Sequence, residues 1–478
     1  MATYLGFSRA SGGCDIPQAS KIYKELVAME LAVHHFNHGL GTVVPELEQV
    51  HDWCPLRFSA EYHDSQYTPS VVVQSLTEKL AGVGQPPCAV VGARTSSSTG
   101  PSAIVSGVYG LPQMSFTATS PELSDRFKYP SFARVVPADD AAAGAAMHFF
   151  EQVVHSSHVA LLYINDSFGN HYHQAFQHQA AQHNIVPVSF PLAFPPDPHD
   201  VQQQLLQLQA TGVRHILMVV FSSHLELLLT QATELQIMGP NYFWMTGIST
   251  TYFNNLQFDN AAENATQAAL ASAIQGMAIL PEFGAKPNSD GYHRFLEAWH
   301  SLGNDTTGGD AVDYFNRKIP RAIRGVENCF QADAEFFSNN DTGSTAHFAY
   351  DSIISMALGA CQALVHNSTS FFLDGAQHMA SILNTTFEGA SGIVRMDPAT
   401  ASRDPLRFSY AVLNVLPQTN DDGITTFTTP EIIVMEPNAA LTDWRLVYKD
   451  PHQQPHFIFQ DGTSHPPPSL PPITVDMN

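Results

Sequence analysis

Between residues 3 and 247 the chain alternates short apolar runs with longer amphipathic ones, and this alternation limits its possible folds more than any other feature. TYLGF at 3–7 reads as a buried strand. Ile22, Leu26, Met29, Val33 and Phe36 then recur at spacings of four and three, the single apolar stripe of a helix. LRFSAEY at 56–62 alternates as a strand, a helix follows over 71–80, and CAVVG at 88–92 and LPQMSFTATS at 111–120 are the next strands. A fresh series starts after Ala141: a helix to about 154, VALLYI, a helix near 171–183, VPVSFPL, a helix near 201–208, ILMVVF, a helix near 225–237 and YFWMTG. Consecutive strands separated by helix-length crossovers pair in parallel, so the expected fold class is α/β, with mostly parallel sheets flanked by helices. At 478 residues the chain exceeds what one core organises, and the restart after RVVPADD marks a second lobe.

Beyond residue 274 the character changes. QGMAILPEFG reads as a strand leading out of the second lobe, GYHRFLEAWH and HFAYDSIISMALGACQAL as helices, and the stretch from FEGASGIVRMD to YAVLNVL as β-structure rich in turns. The end, HPPPSLPPITVDMN, is proline-rich and is expected to be a spacer that does not pack.

Two strand ends carry unusual chemistry. VVGARTSSSTGPS at 90–102 enters a glycine and then presents Thr95, Ser96, Ser97, Ser98 and Thr99 in succession. It lacks the lysine of a phosphate-binding loop and the glycine spacing of a dinucleotide fold. A helix beginning at Ser97 or Ser98 would add backbone N–H groups and the positive end of a helix dipole, which is chemistry for one small anion such as a carboxylate. Taken alone, the loop is equally served by a plainer reading, serines that only cap a helix. The following strand, however, also ends in hydroxyls, Thr117, Thr119 and Ser120. In a parallel sheet both clusters fall on one edge, the carboxyl ends of the strands, where open α/β sheets bind ligands. Arg94, just before the first cluster, is either a second anion contact or a solvated charge.

Composition removes several classes of function. The net charge is −23, which disfavours nucleic acid and anionic membrane surfaces as partners. Apolar residues reach 44% and charged residues only 14%, as in a globular chain, and no apolar run approaches a membrane span. MATYLGFSRASGG has no basic n-region and no apolar h-region, so it is not a signal peptide. Asn-x-Ser/Thr sequons at Asn165, Asn264, Asn304, Asn340, Asn367 and Asn384 nevertheless point outside the cell. A start inside a longer precursor reconciles the two. The five cysteines show no zinc spacing. A disulfide between Cys54 and Cys88 is the expected pairing in an oxidising compartment, with the odd cysteine free or, as for Cys14, linking chains.

VVGARTSSST, LPQMSFTATSPELSDRFKYPSFARVVPADD, FAYDSIISMA, FEGASGIVRMD and YAVLNV together resemble the Venus-flytrap ligand-binding domain of class C G-protein-coupled receptors, of metabotropic-glutamate-like and GABA-B-like kind. The resemblance implies a bilobed fold of periplasmic-binding-protein type I. Lobe 1 would comprise 1–134 and 283–408, lobe 2 135–282 and 409–450, and 451–478 would be a spacer toward a membrane part. It implies an extracellular receptor domain on the plasma membrane that binds a small amino-acid-like ligand between its lobes and signals by closing. By the same resemblance the ligand's carboxylate falls to Thr95, Ser96, Ser97, Thr117 and Thr119, its ammonium to Asp139, and a cation–π contact to Phe168, where such receptors carry tyrosine. A lobe-2 acid near MTGIST and a base for a distal carboxylate have no counterpart, so an α-amino-acid-like ligand is supported and glutamate is not. The resemblance further implies a homo- or heterodimer through lobe 1, using the helix at 22–36 or the one after Ser98.

Other readings are weaker. The serines have no positioned base and there is no Gly-x-Ser-x-Gly elbow or paired-carboxylate pattern, so no enzyme and no cofactor are expected. His171, His173, His178 and His183 crowd one segment, but His173 and His183 leave the face that His171 and His178 share, and no metal site is expected. A soluble periplasmic-type protein delivering an amino acid to a transporter, a guanylate-cyclase-type receptor ectodomain, or a ligand-free partner subunit would share the fold. The sequons and the proline-rich end favour a receptor over the first of these, and the intact hydroxyl clusters argue against the last.

Overall fold

A computed structural model describes residues 1–5, 16–82, 86–247, 251–254, 256–259, 265–281, 283–284, 287–303, 334–338, 342–365, 373–421, 423–438, 444–448 and 457–471. The chain divides into two compact units, Met1–Ala138 with Lys286–Arg407 and Asp139–Ala285 with Phe408–Asn478.

Unit 1 is built on an eight-stranded sheet. It contains β1 (Ala2–Leu5), β2 (Glu61–Asp64), β3 (Val90–Val91), β4 (Gln113–Ser115), β5 (Phe132–Arg134), β12 (Thr386–Gly389), β13 (Gly392–Asp397) and β14 (Ser402–Arg403). Their order is β12-β13-β14-β5-β4-β3-β1-β2, parallel from β14 to β2 and antiparallel among β12, β13 and β14. Helices α1 (Ile16–His38), α2 (Glu46–Trp53), α3 (Pro69–Ala81) and α4 (Ser96–Val108) are joined by α11 (Asp290–Gly303) and by helices Ala346–Val365 and Gly375–Asn384. The α1 stripe is core: Ile22, Leu26, Met29, Val33 and Phe36 are all buried, and α1 packs along Ala346–Val365. Burying each such side chain stabilises the fold by about 1.5–3 kcal/mol. The stripe itself is therefore closed to a dimer partner, while His34 and His38 of α1 stay exposed.

LRFSAEY forms a strand only at its end. Leu56, Phe58 and Ala60 are half-buried and Tyr62 fully so, but ladder pairing begins at Glu61, beside Ala2 of β1. The alternation in this segment therefore records how its side chains face the core, and not the extent of its hydrogen bonding.

Unit 2 carries β6 (His158–Ile164), β7 (Val186–Leu192), β8 (His215–Val219), β9 (Phe243–Thr246), β11 (Ala278–Ile279), β15 (Tyr410–Asn414), β18 (Glu431–Pro437) and β19 (Trp444–Tyr448). Their order is β19-β18-β15-β11-β9-β8-β6-β7, parallel from β11 to β7. A small antiparallel sheet holds β10 (Gln257–Asp259), β17 (Ile424–Thr428) and β16 (Leu416–Thr419). Helices α5 (Asp139–Gln152), α6 (Ser167–Gln182), α7 (Pro198–Thr211), α8 (Ser222–Glu234), α9 (Thr251–Asn254) and α10 (Ala265–Ile274) connect the strands. Local chemistry sets the helix ends. For α7, Asp197 accepts from the amides of His199 and Asp200, Pro198 opens the first turn, and Gly212 stops the helix at φ 71°.

Two expectations are overturned. Cys54 bonds Cys361, not Cys88. Cys54 ends α2 and faces helix Ala346–Val365 with Cα atoms 5.6 Å apart, within disulfide reach, whereas Cys88 is free and exposed ahead of β3. Cys14 lies outside the described residues. The proline-rich end is also not a loose spacer, at least to Pro471. Phe457 and Phe459 are buried against Phe149 and Phe243, the amide of Arg214 donates to the Ser469 carbonyl, and the His215 ring meets the Pro467 carbonyl at 2.7 Å. Proline removes a donor but leaves a carbonyl, so an extended proline-rich strand can still dock by its acceptors and by neighbouring apolar side chains.

Of the sequons, Asn165 and Asn384 are exposed; Asn264, Asn304, Asn340 and Asn367 lie outside the described residues. Among the described residues, no helix is long and apolar enough to cross a membrane.

Candidate ligand-binding site

Strand β3 ends at Val91, and after four residues α4 begins at Ser96, with Thr95 as the residue before its first turn. The intrahelical bonding starts when the amides of Ser98 and Thr99 donate to the Thr95 carbonyl. The amides of Ser96 and Ser97 precede that ladder and point out of the helix start, where the dipole is positive. β4 ends at Ser115, and its turn carries Thr117, Thr119 and Ser120. The two hydroxyl clusters meet as expected: the Ser120 amide donates to Ser96 Oγ at 3.1 Å, and Thr117 Oγ1 donates to the Arg94 carbonyl at 2.7 Å. Ser96, Thr117 and Thr119 are buried, and Thr95 and Ser97 half-buried.

These bonds sort the hydroxyls by what they can still do. A hydroxyl has one proton and two lone pairs. Ser96 accepts from Ser120 and keeps its proton for an incoming oxygen. Thr117 has committed its proton to the Arg94 carbonyl, so it ties the two turns together and offers a carboxylate no donor. Thr99 likewise donates to the Ala93 carbonyl at 2.9 Å, beneath the loop. Ser97 donates to Thr95 Oγ1 at 3.3 Å, so Thr95, like Ser96, accepts one bond and keeps its proton; these two hydroxyls and the first amides of α4 form the donor set for an anion.

Three polar residues that the sequence did not single out hold this arrangement. Arg134, the first residue of the Arg-Val-Val-Pro run, is fully buried; its guanidinium donates to the carbonyls of Ala118 and Ser120 at 3.0 and 2.8 Å and to the hydroxyls of Ser402 and Ser124. Gln113 on β4 bonds the Gly92 carbonyl and the hydroxyls of Ser102 and Ser106. Ser115 Oγ donates to the Ala93 carbonyl and accepts from the amides of Thr117 and Ala118. In sequence these are one arginine, one glutamine and one serine in apolar strands, with no periodicity to mark them.

Arg94 is not a solvated charge but half of a largely buried ion pair. Its Nε and Nη2 grip the Glu25 carboxylate at 3.0–3.2 Å, Glu25 is fully buried on α1, and Thr345 donates to the same carboxylate. Removing one partner of such a pair strands a charge in the interior. Arg94→Ala will destabilise the protein by about 3–5 kcal/mol in urea unfolding, and Arg94→Met with Glu25→Leu will recover most of it. A loss below about 1 kcal/mol in the single variant would put the pair on the solvated side of the ledger.

Asp139 and Phe168 belong to unit 2. Asp139 is the buried first residue of α5, where an acid suits the helix dipole. Phe168 follows β6 at the start of α6. The Asp166 side chain caps that helix by accepting from the Gly169 amide at 2.8 Å, and a Cβ on Gly169 would stand 1.9 Å from the Ile164 carbonyl, so only glycine allows the turn. Phe168 stacks on Phe221 with ring centroids 6.1 Å apart, and Phe221 meets Phe194 edge to face at 5.4 Å. The three rings follow β6, β8 and β7 in turn, so three strand ends of unit 2 present a joined aromatic surface. Of the three, the sequence marks only Phe168, four residues past β6; Phe194 and Phe221 each stand two residues past the end of an apolar strand, β7 and β8.

A model of the receptor family ligand binding region matches residues 24–418. The chain belongs to this family. Its two parallel-rich units accord with the periplasmic-binding-protein type I fold of that family. It is 25% identical over 349 residues to glutamate receptor 3.2 of Arabidopsis thaliana, covering 70% of this chain and 34% of that one. It is 22% identical over 376 residues to metabotropic glutamate receptor-like protein E of Dictyostelium discoideum, covering 75% and 40%. Metabotropic glutamate receptor 4 of Rattus norvegicus is 24% identical over 246 residues, covering 48% and 27%. The chain thus spans between a quarter and two fifths of the length of these relatives. It is a ligand-binding region of the receptor family, and the three relatives are named as glutamate receptors or glutamate-receptor-like.

Proposed function

We propose that this region binds a small α-amino-acid-like ligand on the extracellular side of a plasma-membrane receptor of class C G-protein-coupled type, and that the ligand signals by favouring the closed state of the two lobes. The observation that carries the reading is the junction of the two hydroxyl turns, where Ser96 keeps its proton beside the first amides of α4. Neutral donors at a helix start hold a carboxylate without burying a second charge. Asp139 serves the ammonium, and Phe168 with its aromatic neighbours offers it a π face. Phe168 brings no hydroxyl, which favours ligands that need none there. Pairing of two receptors would use lobe 1, where Ile104, Val108 and Tyr109 at the end of α4 are exposed. A ligand signals only to the extent that it binds the closed state more tightly than the open one.

The test is a thermal-shift screen of the purified chain against the standard amino acids, γ-aminobutyrate and simple amines. A ligand at about a hundred times its Kd will add about 3 kcal/mol of stability. Its decarboxylated and amidated analogues will add none. Ser96→Ala with Thr119→Ala will abolish the shift while leaving the unliganded melting profile in place. Unchanged affinity in that double variant removes the clamp, and silence across the whole set removes the amino-acid reading, leaving a partner subunit without a ligand or a receptor for another ligand class.

A further inference from the structure

We propose that His148, Glu151 and His183 form a binding site for a divalent transition metal of zinc type on unit 2. His148 and Glu151 lie three residues apart on α5, so they share one face of that helix, and His183 is the residue that ends α6, which packs against α5. One donor atom from each of the three lies within 4.8 Å of the others. His183 Nδ1 and Glu151 Oε2 are 2.8 Å apart, and the two imidazole rings sit edge to face with centroids at 6.1 Å. All three side chains are half-buried, so the site is open to ions from solvent yet backed by protein.

The donor set selects the ion. Two imidazole nitrogens and one carboxylate are a three-ligand zinc set, with water completing a tetrahedron. Calcium and magnesium prefer all-oxygen shells, and no thiolate is present to favour softer ions. Zinc–ligand bonds of about 2.0–2.1 Å put tetrahedral donors about 3.4 Å apart. The hydrogen-bonded pair must open by a fraction of an ångström and the third donor swing in, which side-chain rotation supplies.

The remaining histidines of the run are otherwise engaged. His173 stacks on Tyr163 at 4.7 Å and meets the Gln177 amide, His178 meets that of Gln182, and His171 bonds the Ser167 carbonyl. The run therefore holds one residue of the site, and its partners lie more than thirty residues upstream, which is why the sequence alone points away from a metal.

The experiment is a Zn2+ titration of the full purified chain, without amino acids, in competition with a chromophoric chelator; Mg2+ and Ca2+ serve as controls and Co2+ as a spectroscopic probe. With 23 histidines in the chain, weak background binding is expected, so the readout is the tightest site. One equivalent will bind, Co2+ will develop the intense visible bands of a four-coordinate ion, and Mg2+ and Ca2+ will not compete. His148→Ala with His183→Ala will weaken that equivalent at least about a hundredfold, more than the loss of a mere supporting residue. Glu151→Gln keeps the shape and removes the anionic ligand; it will weaken binding and alter the Co2+ spectrum. Unchanged Zn2+ affinity in either variant, with the circular dichroism of the parent, overturns the proposal. Should the double variant fail to fold, Glu151→Gln alone decides.

Discussion

Replacing Cys54 and Cys361 by alanine, or reducing their bond, will lower stability by about 5 kcal/mol, near the upper end of what one disulfide contributes. The bond closes a loop of 307 residues, so its removal releases a large part of the unfolded chain's conformational freedom. Both cysteines are buried, at the junction of α2 with helix Ala346–Val365, so the native structure gains no compensating solvation when the link is cut. For a unit of this size the melting temperature will fall by roughly 10 °C or more. Calorimetry with and without reductant measures it, and equal melting curves would reject the pairing. Thiol labelling supplies a second arm: Cys88 will react with a maleimide in the native protein, while Cys54 and Cys361 will react only after reduction and unfolding.

The second large effect is acid sensitivity. Burial lowers the pKa of His35, His215 and His378 to about 4 each. Their bonds suit the neutral ring: His215 meets both Ser156 Oγ and the Pro467 carbonyl at 2.7 Å, His378 Nε2 meets the Met356 carbonyl, and His35 Nδ1 meets the Tyr350 hydroxyl. With folded values near 4 and an unfolded value near 6.5, the unfolded chain binds more protons in between. Stability from each histidine is therefore full above pH 6.5 and is lost as pH falls toward 4, by about 3 kcal/mol apiece. Asp351 acts in the opposite sense. Burial raises it to about 6, against the pull of Ser391, Arg403 and the Ala390 amide, so its folded form takes up a proton earlier than the unfolded one and gains stability as pH falls through 6 toward 4. Three histidines outweigh one aspartate. Denaturant titrations will show stability dropping by several kcal/mol between pH 6.5 and 4, and His378→Gln will flatten the slope. A flat profile over that interval would mean the three rings are protonated in the folded protein.

The layered α/β architecture and the α1 stripe were legible because strand and helix periodicities are local, and because an apolar stripe has one place to go. Both hydroxyl turns were legible for the same reason, since consecutive parallel strands return their ends to one edge. What the sequence withheld is pairing at a distance. Arg134 reaches Ser402, Arg94 reaches Glu25, and Cys54 reaches Cys361, and none of these partners shares a repeat or a spacing with the other. A buried charge is specified by the shape of the interior around it, which no window of neighbouring residues contains. The same holds for the division of labour among the hydroxyls: composition marks them as a cluster, but only their bonds separate Thr117, which binds turn to turn, from Ser96, which still has a proton to give.

The docked end of the chain has a mechanical meaning. Arg214, His215 and Ser157 hold residues 467–469, and the buried pair Phe457 and Phe459 anchors the segment just before them. Four attachments within fifteen residues turn what composition suggested was a slack tether into a handle bolted to unit 2. A spectroscopic label placed at Pro471 will therefore turn with that unit as a rigid pointer, and a pull applied there will be borne by β8 before any extra length pays out.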